Sequence, residues 1–174
     1  MHKTQSDKVA VFGCGNILLG DDGFGPEVIA ELMSQGSLPP HVRVEDVGTG
    51  IREFLLDYLL APDLAPEHLI IVDAVDFEGR YPGEVFCITP DVIPAKKIHD
   101  FSLHQFPTVN LLQELSVHTP SQVYIIAAQV RHIPGEIAPG LSLAMKNAVR
   151  EASQKVRQII SDVCKDYQCE VKMP

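Results

Sequence analysis

Basic residues are scarce in this chain: 14 lysines and arginines stand against 23 aspartates and glutamates over 174 residues, a formal net charge of -9 with histidine neutral. That balance leaves no basic stripe for a nucleic-acid backbone and sets up repulsion from an anionic membrane surface, so neither nucleic acid nor membrane is an expected partner. Long apolar runs are also missing. None approaches the roughly 20 residues of a membrane-crossing helix, and Met1 to Lys8 is polar, without the apolar centre of a secretory leader. The expected location is cytoplasmic. The few cysteines, Cys14, Cys87, Cys164 and Cys169, show no paired metal-knuckle spacing and would stay reduced in that compartment. They read as small hydrophobes, and Cys14 alone adjoins a stretch with other chemistry. Neither a His-Glu-x-x-His helix nor a Gly-x-Ser-x-Gly elbow is present. No repeat or low-complexity linker divides the chain, and its length suits one domain over residues 1–174 with a core that needs no disulfides.

What the chain does have is concentrated in Val9 to Gly25, VAVFGCGNILLGDDGFG. Val9 to Phe12 is a short, partly β-branched apolar run stopped by Gly13, the pattern of a buried strand. Gly13 and Gly15 permit close backbone approach or positive φ. Asn16 to Gly20 keep the chain irregular, Asp21 and Asp22 follow, and a helical pattern begins near Phe24 with Pro26 tolerated in its first turn. Further strands are expected at His41 to Val47, Leu69 to Val72, Glu84 to Ile88 and Val123 to Ala128. Helical spacing marks Val28 to Met33, Phe54 to Leu60, Gln105 to Leu115 and Leu143 to Val163. In the last of these Ala144, Ala148, Ala152, Val156, Ile159 and Val163 share a face, with Ser142 as N-cap. Strands alternating with helices predict an α/β three-layer sandwich around a twisted, mostly parallel five-stranded sheet. Only a polar loop of about nine residues precedes the fourth strand, too short for the dozen or more that a parallel return needs, so that strand is expected to be antiparallel.

In such sheets sites form outside the carboxyl ends of the strands. Asp22 follows strand one, Asp46 closes strand two and Asp73 closes strand three, so the three carboxylates should converge along one edge. His104 sits where the third helical pattern starts, and the segment from Thr89 to Leu103 is able to span roughly 50 Å when extended, enough to return it to the same edge. Asp22, Asp73 and His104 would then make an open site of two carboxylates and one imidazole, suited to a borderline divalent ion such as nickel or zinc. Taken alone, these residue types are as well explained by caps and turns.

The stretch GNILLGDDGFG after an apolar strand, IIVDAV at strand three and SLHQF before a helix together resemble the [NiFe]-hydrogenase maturation endopeptidases over most of the chain. Gly15, Asn16, Leu18, Asp21, Asp22 and Gly23 match the first motif, Asp73 the second and His104 the third, in the family's order and spacing. The resemblance implies a protease that removes a C-terminal extension from the hydrogenase large-subunit precursor once nickel has entered, an aspartic-type endopeptidase with Asp22, Asp73 and His104 as both catalytic and metal-contacting residues. The nickel would be that of the precursor rather than a resident cofactor. A metal-bound water, or a carboxylate such as Asp22 or Asp46, would serve the hydrolytic step. One departure concerns strand two: where the family often has Asp-Gly-Gly-Thr this chain has Asp46, Val47, Gly48 and Thr49, which puts the role of Asp46 and the shape of the substrate groove in question. Divergence over Tyr58 to Pro66 points to a subgroup, such as the proteases of methanogen coenzyme F420-reducing hydrogenases.

Two other function classes fit parts of the pattern. Gly13, Gly15 and the acidic end of strand two suggest a dinucleotide-binding domain, but Leu18 takes the place of the third glycine and two aspartates stand where a pyrophosphate would meet a helix N-terminus. A non-hydrolytic nickel chaperone would use the same ligands. A Cys14–His104 nucleophilic pair is a lesser reading. His68, His118 and His132 read as surface or core residues, while His99 and Asp100, and Arg131 with His132 after strand five, are candidates for substrate contact.

Overall fold

Valine, isoleucine, leucine and alanine fill the centres of the strands because both sheet faces are covered by helices. The computed structural model describes residues 7–90 and 108–170. In chain order the elements are β1 (Val9–Cys14), α1 (Phe24–Ser34), β2 (Val42–Gly48), α2 (Ile51–Leu60), β3 (His68–Val75), β4 (Val85–Ile88), α3 (Thr108–His118), β5 (Gln122–Gln129) and α4 (Leu143–Glu170). The sheet order is β2-β1-β3-β5-β4. β1, β2, β3 and β5 are parallel, and β4 runs antiparallel to β5 with Val85 opposite Ala128. The architecture is the α/β sandwich expected from the alternation of elements, including the one antiparallel strand. Among the described residues no helix is long and apolar enough to cross a membrane.

Strand periodicity sorts the core into two layers. Val9 and Val11 of β1, with Ile70, Val72 and Ala74 of β3, face α1 and α4, while Ala10, Phe12 and Cys14, with Leu69 and Ile71, face α2 and α3. On that second face Phe12 lies 5.0 Å from the ring of Phe54 and stacks at 6.4 Å on Tyr58, so one side chain of β1 fixes α2 over the sheet. Ser142 caps α4, its hydroxyl accepting from the Met145 amide at 3.4 Å. The buried stripe of α4 is Met145, Ala148, Ala152, Val156, Ile160 and Val163. It differs from the expected face at Ala144 and Ile159, which are half-buried beside Met145 and Ile160, because the steps of three fall at the two ends of the stripe and not between Val156 and Ile159.

The strands are longer than the sequence pattern suggests, with a consequence for the acids. Asp46 and Asp73 do not close their strands: each lies inside one, two residues before the end. β1 stops sooner. Its last rows pair Gly13 with Asp46 and Val72, and after a bulge Cys14 pairs with Gly48. β3 runs on against β5 through Asp73, Ala74 and Val75. β2 ends level with β1, at Gly48 beside Cys14, so a notch opens in the sheet above Cys14, walled by the extra residues of β3. Connections leave β1 toward β2 across one face and return to β3 across the other, which makes this notch the topological switch point of the sheet.

Candidate active site

Two glycines seat the turn that fills the notch. A Cβ on Gly25 would stand 2.2 Å from the Cys14 carbonyl oxygen and 2.6 Å from that of Val72, and one on Gly13 would stand 2.4 Å from Ile29 Cγ1. Only hydrogen at both positions lets the first turn of α1 rest directly on β1 and β3. The chain from Asn16 folds back over this contact: the Leu18 amide donates to Asn16 Oδ1 at 3.0 Å, and a single 3-10 turn, Gly20–Gly23, carries both aspartates. Asp22 is fully buried, and its Oδ2 accepts from the Asn16 amide at 2.8 Å. Gly15, at φ 128°, makes room for the Asp22 backbone, since a Cβ there would lie 1.8 Å from the Asp22 carbonyl oxygen. We therefore expect Gly15→Ala to destabilise the fold by about 3 kcal/mol through strain and overpacking, lowering Tm in a thermal melt by roughly 10 °C.

Asp73 faces the same notch from β3. Its Oδ1 accepts from the Ala74 amide at 2.8 Å. Burial first, and the nearby negative charge of Asp22 second, push its carboxyl up to about 7. Asp46 is exposed on β2, with Oδ1 accepting from the Gly48 amide at 2.9 Å in a local turn. The Cys14 thiol is buried, and its pKa is raised well above the usual thiol range by burial and by the charges of Asp73, Asp46 and Asp22, in that order. The convergence of the three carboxylates is thus visible in what they do to one thiol. It also bears on the nucleophilic reading of Cys14: a thiol surrounded by negative charge is held protonated and inert. With iodoacetamide at pH 8, the exposed Cys87 should be alkylated well before Cys14, as peptide mapping would show.

Val47, the residue that departs from the double-glycine pattern, turns into the core beside Cys14, Leu55 and Tyr58. The left-handed position of this turn is Gly48, at φ 53°, and the chain retains glycine there; its carbonyl accepts from the Gly15 amide at 2.9 Å. The valine therefore fits without altering the turn. His104 lies outside the described residues, as do His99 and Asp100. Among the described residues no group of three or more His, Cys, Asp or Glu side chains is placed to hold a metal ion. His118 pairs with Glu114 at 3.0 Å along α3, and His68 stacks on Tyr124 at the opposite end of β3. Arg131 and His132 are exposed just after β5.

Asp21 is the residue whose part was not apparent from the sequence. Although it adjoins Asp22, it points away from the notch and accepts from the amides of Arg131 at 2.9 Å, His132 at 3.5 Å and Ser142 at 2.6 Å, and from the Ser142 hydroxyl at 3.0 Å. Those partners lie 110 or more residues away along the chain, beyond the reach of motif spacing. Its burial, at 2 % exposed, is compatible with a carboxylate because four donors surround it.

The Asp22 backbone packs directly on Gly15, so the glycine here serves to hold the acid-bearing turn against the end of β1. Paired carboxylates at the switch point of this sheet mark a class of α/β protein that acts on a substrate brought to the carboxyl edge. Comparison narrows the class. The family model described as hydrogenase maturation protease matches residues 26–159. A Methanocaldococcus jannaschii protein provisionally named as a hydrogenase maturation protease is 35% identical over 145 residues, 83% of this chain and 90% of its own. The coenzyme F420 hydrogenase subunit delta of Methanothermobacter thermautotrophicus is 32% identical over 158 residues, 89% of this chain and 93% of its own. Among solved structures, the hydrogenase maturating endopeptidase HybD of Escherichia coli superposes with a TM-score of 0.71 at 27% identity, covering 90% of this chain and 93% of that one. The chain belongs to the hydrogenase maturation protease family, and it is a peptidase.

Proposed function

We propose that this peptidase removes the C-terminal extension of a [NiFe]-hydrogenase large-subunit precursor after nickel has been inserted, with Asp22, Asp73 and His104 contacting the nickel that the precursor carries. The observation that supports this most directly is the Asp22–Asp73 pair. Burial first, and the charge of Asp22 second, let Asp73 keep its proton up to about pH 7. A divalent ion arriving with the substrate supplies the missing positive charge, and oxygen donors suit a borderline metal when an imidazole completes the set. Such a pair has little affinity for the neutral main chain of an unmetallated precursor. Loading with nickel would thus be read as charge complementarity, and it would fix the scissile bond at the carboxyl edge of the sheet.

For the hydrolytic step we assign Asp46 the part of general base, because it is the exposed carboxylate of the three and sits on β2 beside Gly13, close enough for its charge to act on the Cys14 thiol. The relative from Methanothermobacter thermautotrophicus keeps a coenzyme F420-reducing hydrogenase among the candidate substrates. The proposal is tested by intact mass of a hydrogenase large-subunit precursor after incubation with this protein, in nickel-loaded and nickel-free forms. Loss of a C-terminal peptide from the loaded form alone is the expected result. Cleavage of both forms would remove nickel from recognition, and cleavage of neither would favour a chaperone role.

A further inference from the structure

We propose that Asp21 is a positioning residue for Asp22: it locks the turn that presents Asp22 to the segment after β5 and to the first turn of α4, and it acts on the reaction only through that turn. The inference rests on the proposed function for its kinetic consequence, but its structural core does not. Asp21 Oδ2 accepts from the Arg131 and His132 amides and from the Ser142 hydroxyl, and Oδ1 accepts from the Ser142 amide. One buried side chain therefore joins three separate segments. The same segments meet a second time where the Ala138 amide donates to the Leu18 carbonyl at 2.9 Å and Leu19 bridges to Ala138. A Cβ on Gly20 would come within 2.9 Å of Pro134. The turn that carries Asp22 is thus clamped from outside by residues 131–142, and from inside by the Asn16 amide on Asp22 Oδ2. Release of the outer clamp at Asp21 would free the backbone of the next residue to turn, and with it the direction of the Asp22 carboxylate.

All four groups facing Asp21 are donors, so an acceptor-only side chain is required. Asp21→Asn keeps the size and shape but turns an NH2 group toward amides that need an acceptor, which makes it the discriminating variant. Its control is Val156→Ala, a core truncation in α4 that lowers stability without touching the turn. With nickel-loaded precursor, well below both melting temperatures, Asp21→Asn is expected to lower kcat at least tenfold with KM within threefold, while Val156→Ala keeps both. A kcat within threefold of wild type, a rise in KM alone, or an equal loss in Val156→Ala overturns the proposal.

Amide hydrogen exchange provides a readout independent of cleavage. Asp21→Asn should speed exchange at Arg131 and Ser142, which lose their acceptor, and also at Asn16, whose acceptor is Asp22. Unchanged protection at Asn16 overturns the positioning role even if no precursor is cleaved by any form, whereas faster exchange there without cleavage by the wild type counts against the proposed substrate and not against Asp21. Should Asp21→Asn fail to fold, Ser142→Ala removes one of the four donors to Asp21, together with the long cap bond from the Met145 amide. It should give a two- to fivefold lower kcat with partial loss of Asn16 protection, and wild-type values in both measurements overturn the proposal.

Discussion

Asp22→Asn abolishes processing of the nickel-loaded precursor, by about 10³-fold or more in rate, and leaves the fold intact. The structural half of this expectation follows from what Asp22 does inside the turn. Its Oδ2 accepts a hydrogen bond from the Asn16 amide, and the amide oxygen of asparagine is able to accept the same bond, so the turn keeps its shape. Gly15 continues to receive the backbone of the substituted residue. A change in Tm of no more than a few degrees is expected. The functional half follows from charge. The substituted side chain would present a neutral oxygen to the cation, and a preorganised charge removed from a water-poor site costs several kcal/mol of differential binding, with about 1.4 kcal/mol for each factor of ten in rate. Time courses of precursor mass would measure it, and cleavage within tenfold of wild type would show that Asp22 is not a contact. Loss of the Asp22 charge also lets Asp73 titrate closer to an ordinary aspartate, because that charge is the second cause of its upward shift.

The strand and helix order, the antiparallel β4 and the edge shared by Asp22, Asp46 and Asp73 were all legible in the chain, because apolar periodicity and loop length are local signals. Boundaries were less so. Asp46 and Asp73 look like strand ends since a charge interrupts an apolar run, yet β2 and β3 continue two residues past them. Asp46 is tolerated because β2 is an edge strand and its side chain is exposed, Asp73 because β1 has ended beside it, and both are tertiary facts that neither run announces. Asp21 illustrates a different limit. Its neighbour Asp22 shares its residue type and turn, but one faces the notch and the other faces residues 131, 132 and 142. Which of two adjacent acids is the ligand depends on the direction each takes in a 3-10 turn, and only the family motif favoured the second. At Val47 the departure from the family pattern is taken up by the turn and the core. The turn needs its positive φ at Gly48, and the side chain of Val47 has a place in the core.

Asp73→Asn should stabilise the protein at neutral and alkaline pH while removing its activity. The carboxyl of Asp73 moves from 3.8 to about 7 on folding, mainly through burial and secondarily through Asp22. The folded state therefore binds more protons than the unfolded state between those values, and stability falls as pH rises across that interval. The full shift corresponds to about 4 kcal/mol at 1.36 kcal/mol per unit. Partial access of solvent to Asp73 reduces this to roughly 2–4 kcal/mol, with the loss complete a unit above the folded value. Asparagine carries no such penalty and keeps the bond from the Ala74 amide. At pH 8 the variant should melt roughly 5–10 °C above wild type, and near pH 4, where the wild-type carboxyl is protonated in the folded state, the two should coincide. Urea titrations at a series of pH values would separate the curves. If the wild type and the variant show the same pH slope, Asp73 is not held against Asp22 in a water-poor notch, and the charge basis for nickel recognition is lost. If the slopes differ as expected and processing is absent in the variant, the protein is holding at its site a buried carboxylate that costs stability, which is the pattern of a group placed for a partner that the free enzyme lacks. That partner must then carry positive charge, and its arrival should release a proton from Asp73 when binding is followed below pH 7.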